Sequence, residues 1–286
     1  MLIYDPLKYV DWFRYAKKYQ ELNLTVPDFS PPHKSISICT TCMNRLRDLR
    51  RTLPQNIDDN PYERAEFVVL DYGSVDGMSE WAKTFLAEHI VSGKVTYYRC
   101  ESDRYRPSHA RNVSFRLATG EIIVNVDADN FVGKGFLHKI NQCMSLRDRR
   151  IMAVSNQFLL PNSQRLLLKG RFAMYKDDLV ELGGYDEKLD EIGYSNEDLD
   201  LIMRAMMLRF NFARFPSIHV NDRIDTPKED KIKHMASQKT ISELGFMNQM
   251  AIRQKLGRHQ TIVNQQKIWG AGHVIKNFSV TIPTVC

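Results

Sequence analysis

Two short, almost wholly apolar runs that each end on aspartate constrain this chain most. Glu66-Phe67-Val68-Val69-Leu70 leads into Asp71, and Glu121-Ile122-Ile123-Val124-Asn125-Val126 leads into Asp127-Ala128-Asp129. Continuous apolar, β-branched runs of this length predict strands buried on both faces. Around them the pattern alternates. Residues 36–39 and 94–98 read as further strands. Residues 45–53 and 79–90 read as helices, and Ser108 reads as the cap of a helix reaching Leu117. Strands alternating with helices predict an α/β fold, a mostly parallel sheet flanked by helices. Ligands of such sheets sit at the carboxyl ends of the strands, where Asp71 and Asp127-Ala128-Asp129 fall.

Residues 5–22 form an amphipathic pattern, with Tyr9, Trp12, Phe13, Ala16 and Tyr19 on one face. Such a helix suits its own domain, a partner or a membrane surface. A proline-rich connector follows over residues 26–33. The predicted division is a helical extension and linker over 1–34, the α/β domain over 35–225, and a helical, basic region over 226–286. In the last region Thr226-Pro227 is a helix start, and Gly257 is its natural stop. Trp269-Gly270-Ala271-Gly272-His273 then reads as a lid, a platform for a bound ligand or a core plug.

Hydrophobic residues make up 43% of the 286 residues and charged residues 26%, a globular balance that excludes a disordered or fibrous chain. No apolar run reaches the roughly 20 residues of a spanning helix, and Met1 to Pro6 lacks signal-peptide character. The expected location is cytoplasmic, with the inner membrane face as a peripheral alternative. The five cysteines are scattered and odd in number, so Cys39-Thr40-Thr41-Cys42 is read as structural rather than as a redox or zinc motif. Charge is uneven. Residues 231–286 carry eight Lys/Arg against Glu243, whereas residues 176–200 carry ten acids against Lys176 and Lys188.

Three features carry chemistry. Asp127 and Asp129, where a buried strand gives way to a loop, are the oxygen donors that Mn²⁺ or Mg²⁺ takes; a solvated turn is the alternative. Gly183-Gly184-Tyr185-Asp186-Glu187 is followed by Gly193-Tyr194-Ser195-Asn196-Glu197-Asp198, with helical spacing from Leu199 onward. Glu197 and Asp198 at a helix start are either caps favoured by the helix dipole or a general base kept ionised there. His219 follows a short strand over residues 211–215 and is either structural or a metal ligand.

Several motifs stand in order: Ser35-Ile36-Ser37-Ile38-Cys39-Thr40-Thr41-Cys42-Met43-Asn44-Arg45; Val69-Leu70-Asp71-Tyr72-Gly73-Ser74-Val75-Asp76-Gly77; Ala110-Arg111-Asn112 to Ala118-Thr119-Gly120-Glu121; and the DxD. Over residues 35–220 the chain resembles family 2-type glycosyltransferases with the GT-A fold, Rossmann-like. Its C-terminal motif resembles that of the β-1,4-galactosyltransferase-like group. Thr40 stands where the first motif has proline, and Tyr72 where the second has aspartate. The resemblance implies donor contacts from Thr40, Asn44, Arg45, Asp71, Arg111, Asp127 and Gly184, with Tyr72 a stacking surface. It implies metal ligation by Asp129 and His219, a base in Asp198 assisted by Glu197, and an acceptor side formed by Tyr194 and Asp198. The activity it implies is metal-dependent, inverting transfer from a nucleotide sugar, a UDP-sugar foremost, to a hydroxyl of a glycan or glycolipid.

Other classes fit less well. A sugar nucleotidyltransferase opens with a glycine-rich phosphate loop, and residues 39–45 contain no glycine; a dehydrogenase needs GxGxxG there. A non-catalytic carbohydrate-binding protein of the same fold would not need Asp127, Asp129, Glu197 and Asp198. Nucleic-acid binding has only the basic tail behind it and is not expected.

Overall fold

A computed structural model describes residues 21–155, 170–193, 196–216, 219, 223–225, 239–266 and 268–284. The expected N-terminal helix, apart from Glu21 and Leu22, lies outside them, as do Tyr194 and Thr226-Pro227. The chain runs β1 (Asn23–Leu24), β2 (Ile36–Cys42), α1 (Leu46–Asp58), β3 (Ala65–Tyr72), α2 (Met78–Phe85), α3 (Ala87–Val91), β4 (Val95–Cys100), α4 (Pro107–Leu117) and β5 (Ile122–Val126). It continues through α5 (Phe136–Met144), β6 (Ile151–Ser155), β7 (Arg171–Tyr175), α6 (Lys176–Leu182), α7 (Leu189–Ile192), α8 (Glu197–Met207), β8 (Asn211–Phe215), α9 (Ile241–Gly257), β9 (His273–Lys276) and β10 (Val280–Pro283).

The strands form one sheet in the order β1-β8-β6-β7-β5-β2-β3-β4-β9-β10. The centre, β5-β2-β3-β4, is parallel, and β7 enters antiparallel between β5 and β6. The apolar runs do not alternate because both faces of the sheet are covered. Phe67 and Val69 join Leu49, Leu53 and Ile57 of α1 in one core, and Val68, Leu70 and Tyr72 join Ala110 and Val113 of α4 in the other. Burying each such aliphatic side chain stabilises the fold by about 1.5–3 kcal/mol. Cutting Leu70 back to alanine would therefore cost about 2–5 kcal/mol once the cavity is counted.

The structure departs from the sequence reading in four places. The helix expected over residues 79–90 breaks at Leu86 into α2 and α3. Ser108 is not a cap: Pro107 occupies the first turn after extended Arg106, and Asp190 of α7 accepts the Ser108 and His109 N–H groups at 3.0 and 2.9 Å. A side chain some 80 residues away thus satisfies donors that a local cap usually takes. The long C-terminal helix is not continuous from Thr226, because Thr240 is extended and starts α9 in a capping box with Glu243. Finally, the C-terminal region is not only helical, since β9 and β10 form a hairpin on the β4 edge of the main sheet.

Candidate active site

Asp127, Ala128 and Asp129 leave the carboxyl end of β5, and α1 holds their loop from the other side. Thr52 and Asn56 of α1 and Asn60, two residues past its end, recur every four residues, the spacing of one helical stripe, and all three are buried. Thr52 Oγ1 donates to the Ala128 carbonyl at 2.7 Å, and Asn56 Nδ2 donates to that of Asn130 at 2.8 Å. Asn56 Oδ1 accepts the Val132 N–H, and Asn60 grips Gly133 and Leu137. Gly170 closes the loop from β7: its carbonyl accepts the Asp127 N–H and the Asn125 amide, both at 3.1 Å. Its φ is +70°, and a Cβ there would overlap the Asp127 carboxylate.

Arg111 of α4 is the hub. Its guanidinium donates to Asp127 Oδ1 at 3.0 Å and to Glu197 Oε1 at 2.7 Å, so one buried cation joins the DxD loop to the start of α8. Its Nε has no partner among the described residues. Burial alone would raise the Asp127 pKa, but Arg111, Asn125 and Arg45 outweigh it and hold the carboxyl below its usual value.

Asp198 stands in the first turn of α8, after Asn196 in a left-handed conformation (φ 69°). Tyr185 Oη donates to Asp198 Oδ1 at 2.6 Å. The Tyr185 ring is fully buried, with the Arg111 guanidinium 5.4 Å from its centroid. Burial pushes the Asp198 carboxyl up to about 6 against the pull of Arg111, and the charges of Glu197 and Asp127 push the same way. Burial and Asp198 together keep the Tyr185 hydroxyl well above its usual pKa, so it remains a neutral donor.

His219 is buried, and its Nδ1 lies 2.7 Å from the Val132 carbonyl. A carbonyl only accepts, so Nδ1 carries the proton and Nε2 keeps its lone pair. Burial lowers the pKa of the ring. The Ile224 N–H donates to the Asp129 carbonyl at 2.8 Å, which holds Ile224 alongside the DxD loop. Asp129 itself accepts Arg45 Nη2 at Oδ2, 3.1 Å. Among the described residues no group of three or more His, Cys, Asp or Glu side chains surrounds one point.

Several expected donor contacts are occupied inside the protein. Asp71 is fully buried and accepts Tyr97 Oη at 2.6 Å, Arg99 Nη1 at 2.8 Å and the Ser74 N–H at 2.7 Å, so it shapes the loop from within. Tyr72 offers no stacking face: its ring is 0% exposed and its hydroxyl meets His109 Nδ1 at 2.7 Å. It shares the β3 face of Val68 and Leu70, and alternation along a strand places it there. Asn44 (φ 54°) accepts the Val75 N–H at Oδ1 and donates its own backbone N–H to Ser74 Oγ, tying the first loop to the second. Arg45 lies between Asp48 and Asp129, and Thr40 is buried in β2. Gly184 is enclosed rather than open to a ligand: a Cβ would strike Asn112 and Trp269. Trp269 is itself buried under the Arg116 guanidinium. Cys39 and Cys42 are buried free thiols raised above the usual thiol range by burial.

One network had no sequence signal beyond charge. Lys255 of α9 pairs with Asp186 at 2.6 Å and with Asp200 of α8, which also holds Arg204 at 2.7 Å. At the other end of α9, Asn196 Nδ2 donates to the Gly245 carbonyl and Asn248 Nδ2 to that of Gly193. The C-terminal helix thereby braces both flanks of the turn that carries Asp198.

Residues 37–152 match the family model described as Glycosyl transferase family 2. No curated protein sequence matches the chain. Among solved structures, the mannosyltransferase PcManGT from Pyrobaculum calidifontis, in complex with GDP-Man and Mn²⁺, is similar at TM-score 0.59 and 17% identity, over 86% of this chain and 76% of that one. S. aureus TarS 1-349 in complex with UDP-GlcNAc is similar at TM-score 0.52 and 15% identity, over 78% and 66%. At these identities the likeness is one of fold, a GT-A architecture.

Proposed function

We propose that this glycosyltransferase, with its family 2 domain over residues 37–152, moves a sugar from a nucleoside diphosphate to an acceptor hydroxyl of a glycan or glycolipid, by inversion and with a divalent metal. The observation that carries the reading is the Arg111 bridge. It ties Asp127, at the end of β5, to Glu197, next to Asp198, so the donor side and the acceptor side share one buried cation. The similar structures hold GDP-Man in PcManGT and UDP-GlcNAc in TarS, in keeping with a nucleotide-sugar donor.

The donor set fits a metal. Asp129 contributes a carboxylate and His219 a neutral Nε2, the oxygen and nitrogen donors that Mn²⁺ accepts. The Nδ1–H to the Val132 carbonyl is the outer hydrogen bond that orients a ligating imidazole. Asp129 and His219 would hold that ion. When bound, the metal supplies positive charge beside the leaving diphosphate.

The chain's own residues do the rest. Arg111 and Arg45 put two cations beside the DxD carboxylates, where the diphosphate gathers negative charge. Asp198 takes the proton of the acceptor hydroxyl, worth about 10²–10⁴-fold. With a pKa near 6 it is ionised at neutral pH and still basic enough to accept that proton. Tyr185 fixes the rotamer of Asp198 through Oδ1 and leaves Oδ2 for the substrate. Direct attack by a hydroxyl that a single base deprotonates gives inversion.

The test is nucleotide release by the purified protein from UDP-, GDP- and CMP-sugars, with candidate acceptors, in Mn²⁺ and then in EDTA. Release from one donor that EDTA stops is the expected result. Neither release nor metal-dependent binding of any donor would favour a non-catalytic protein of the same fold.

A further inference from the structure

Between α7, the C-terminal half of α9 and residues 258–266 lies a cavity of about 500 Å³, a size typical of small-ligand sites. Its floor is apolar, from Leu189, Ile192, Ala251 and Val263. Its rim is amide. The side chains of Gln254, Gln260, Gln265 and Gln266 make no hydrogen bond among the described residues and are exposed. Asn264, by contrast, is spent inward on the Gly183 and Tyr185 carbonyls.

Charge at the cavity nearly cancels. Lys255 is neutralised by Asp186 and Asp200, and Glu191 offsets one of Lys188 and Arg258. An anion or a cation therefore finds little net attraction. Carboxamides both donate and accept, as sugar hydroxyls do, while an apolar floor suits the C–H face of a pyranose. We propose that this cavity is an acceptor subsite that binds neutral sugar units of an oligosaccharide.

The inference rests on the glycan acceptor proposed above and deepens it. Gly245 meets Asn196 at the start of α8, and Lys255 lies ten residues further along α9. At the rise of an α-helix that is about 15 Å, so one ligand serving both places is an oligosaccharide and not a single sugar. The subsite is also mechanically close to the chemistry. Its wall residue Asp186 follows Tyr185, which holds Asp198, and Lys255 anchors α8 through Asp200.

The experiment titrates the full chain, without donor, with an array of neutral tetra- and hexasaccharides and the matching monosaccharides. At least one oligosaccharide is expected to bind and its monosaccharide not. The Gln265→Ala/Gln266→Ala double variant should weaken binding about tenfold, and Ala251→Trp, which fills the floor, should remove it. The glutamines are exposed and unbonded, so the double variant keeps its fold, and a thermal melt checks both variants. An array with no binder overturns the subsite, as does binding that the double variant leaves unchanged. Nucleotide-sugar binding by the unaltered protein is measured in parallel. A protein that binds donor but no oligosaccharide sinks this inference alone, and one that binds no donor sinks the transferase reading.

Discussion

Asp127 and Asp198 both feel the charge of Arg111, yet their surroundings drive them apart. Asp127 accepts a direct ion pair and an amide, and its carboxyl stays below the usual range. Asp198 has a neutral phenol for its hydrogen-bond partner, while the guanidinium pairs with the neighbouring Glu197, and burial lifts Asp198 to about 6. A charged partner keeps a carboxylate permanently ionised. A dipolar partner orients one without removing its basicity. Two copies of one side chain thereby suit the two tasks proposed for them, charge display beside the donor and proton acceptance from the acceptor.

The sharpest way to break the comparison is to neutralise each side in turn. Asp198→Asn should cut transfer by about 10²–10⁴-fold while nucleotide-sugar binding, followed by calorimetry, persists. Asp129→Asn should instead abolish metal-dependent donor binding. Equal loss of binding in both variants would overturn the assignment. Arg111→Met attacks the hub itself. It leaves Glu197 buried without its cation and should lower stability by about 3–5 kcal/mol, read from the denaturant midpoint.

A smaller effect sharpens the comparison. The transfer rate should rise with pH through an acidic limb near 6, as Asp198 loses its proton. The Tyr185 hydrogen bond lowers that pKa, so Tyr185→Phe should move the limb to higher pH and slow transfer about tenfold. A slower enzyme with an unmoved limb would make Tyr185 a packing residue only. Stability carries the opposite sign. Folded Asp198 retains its proton where the unfolded chain has lost it, so this group's contribution falls as pH rises from about 4 to 6. Asp190, also lifted to about 6 by burial, adds the same slope. The smallest effect concerns the cysteines. Native Cys39 and Cys42 should resist iodoacetamide, and treatment should leave the rate unchanged.

The strands and the DxD were legible because their signal is local. An apolar run buried on two faces carries no alternation, and the change to aspartate marks its end. The stripe Thr52-Asn56-Asn60 was legible in principle, at helical spacing, but three small polar residues carry no mark of the loop that they hold. Tyr72 shows how a departure from a family pattern misleads: the substitution suggested a ligand face, but strand periodicity already aimed it at α4. Gly184 misled for another reason, since the close approaches that demand glycine are to Asn112 and Trp269, 72 and 85 residues away. The Tyr185–Asp198 contact and the Lys255 network had no sequence mark, because each depends on how the loop before α7 meets α8 and α9 and not on any one element.

Gly170 has a consequence for reading mutational data. Its missing side chain is the space that the Asp127 carboxylate fills. In a saturation screen for lost activity, every substitution at 170 would score beside changes to the aspartate itself, although the position has no functional group. A chemist ranking hits would take 170 for a participant in the reaction. Its contribution is a vacancy, inherited intact or not at all.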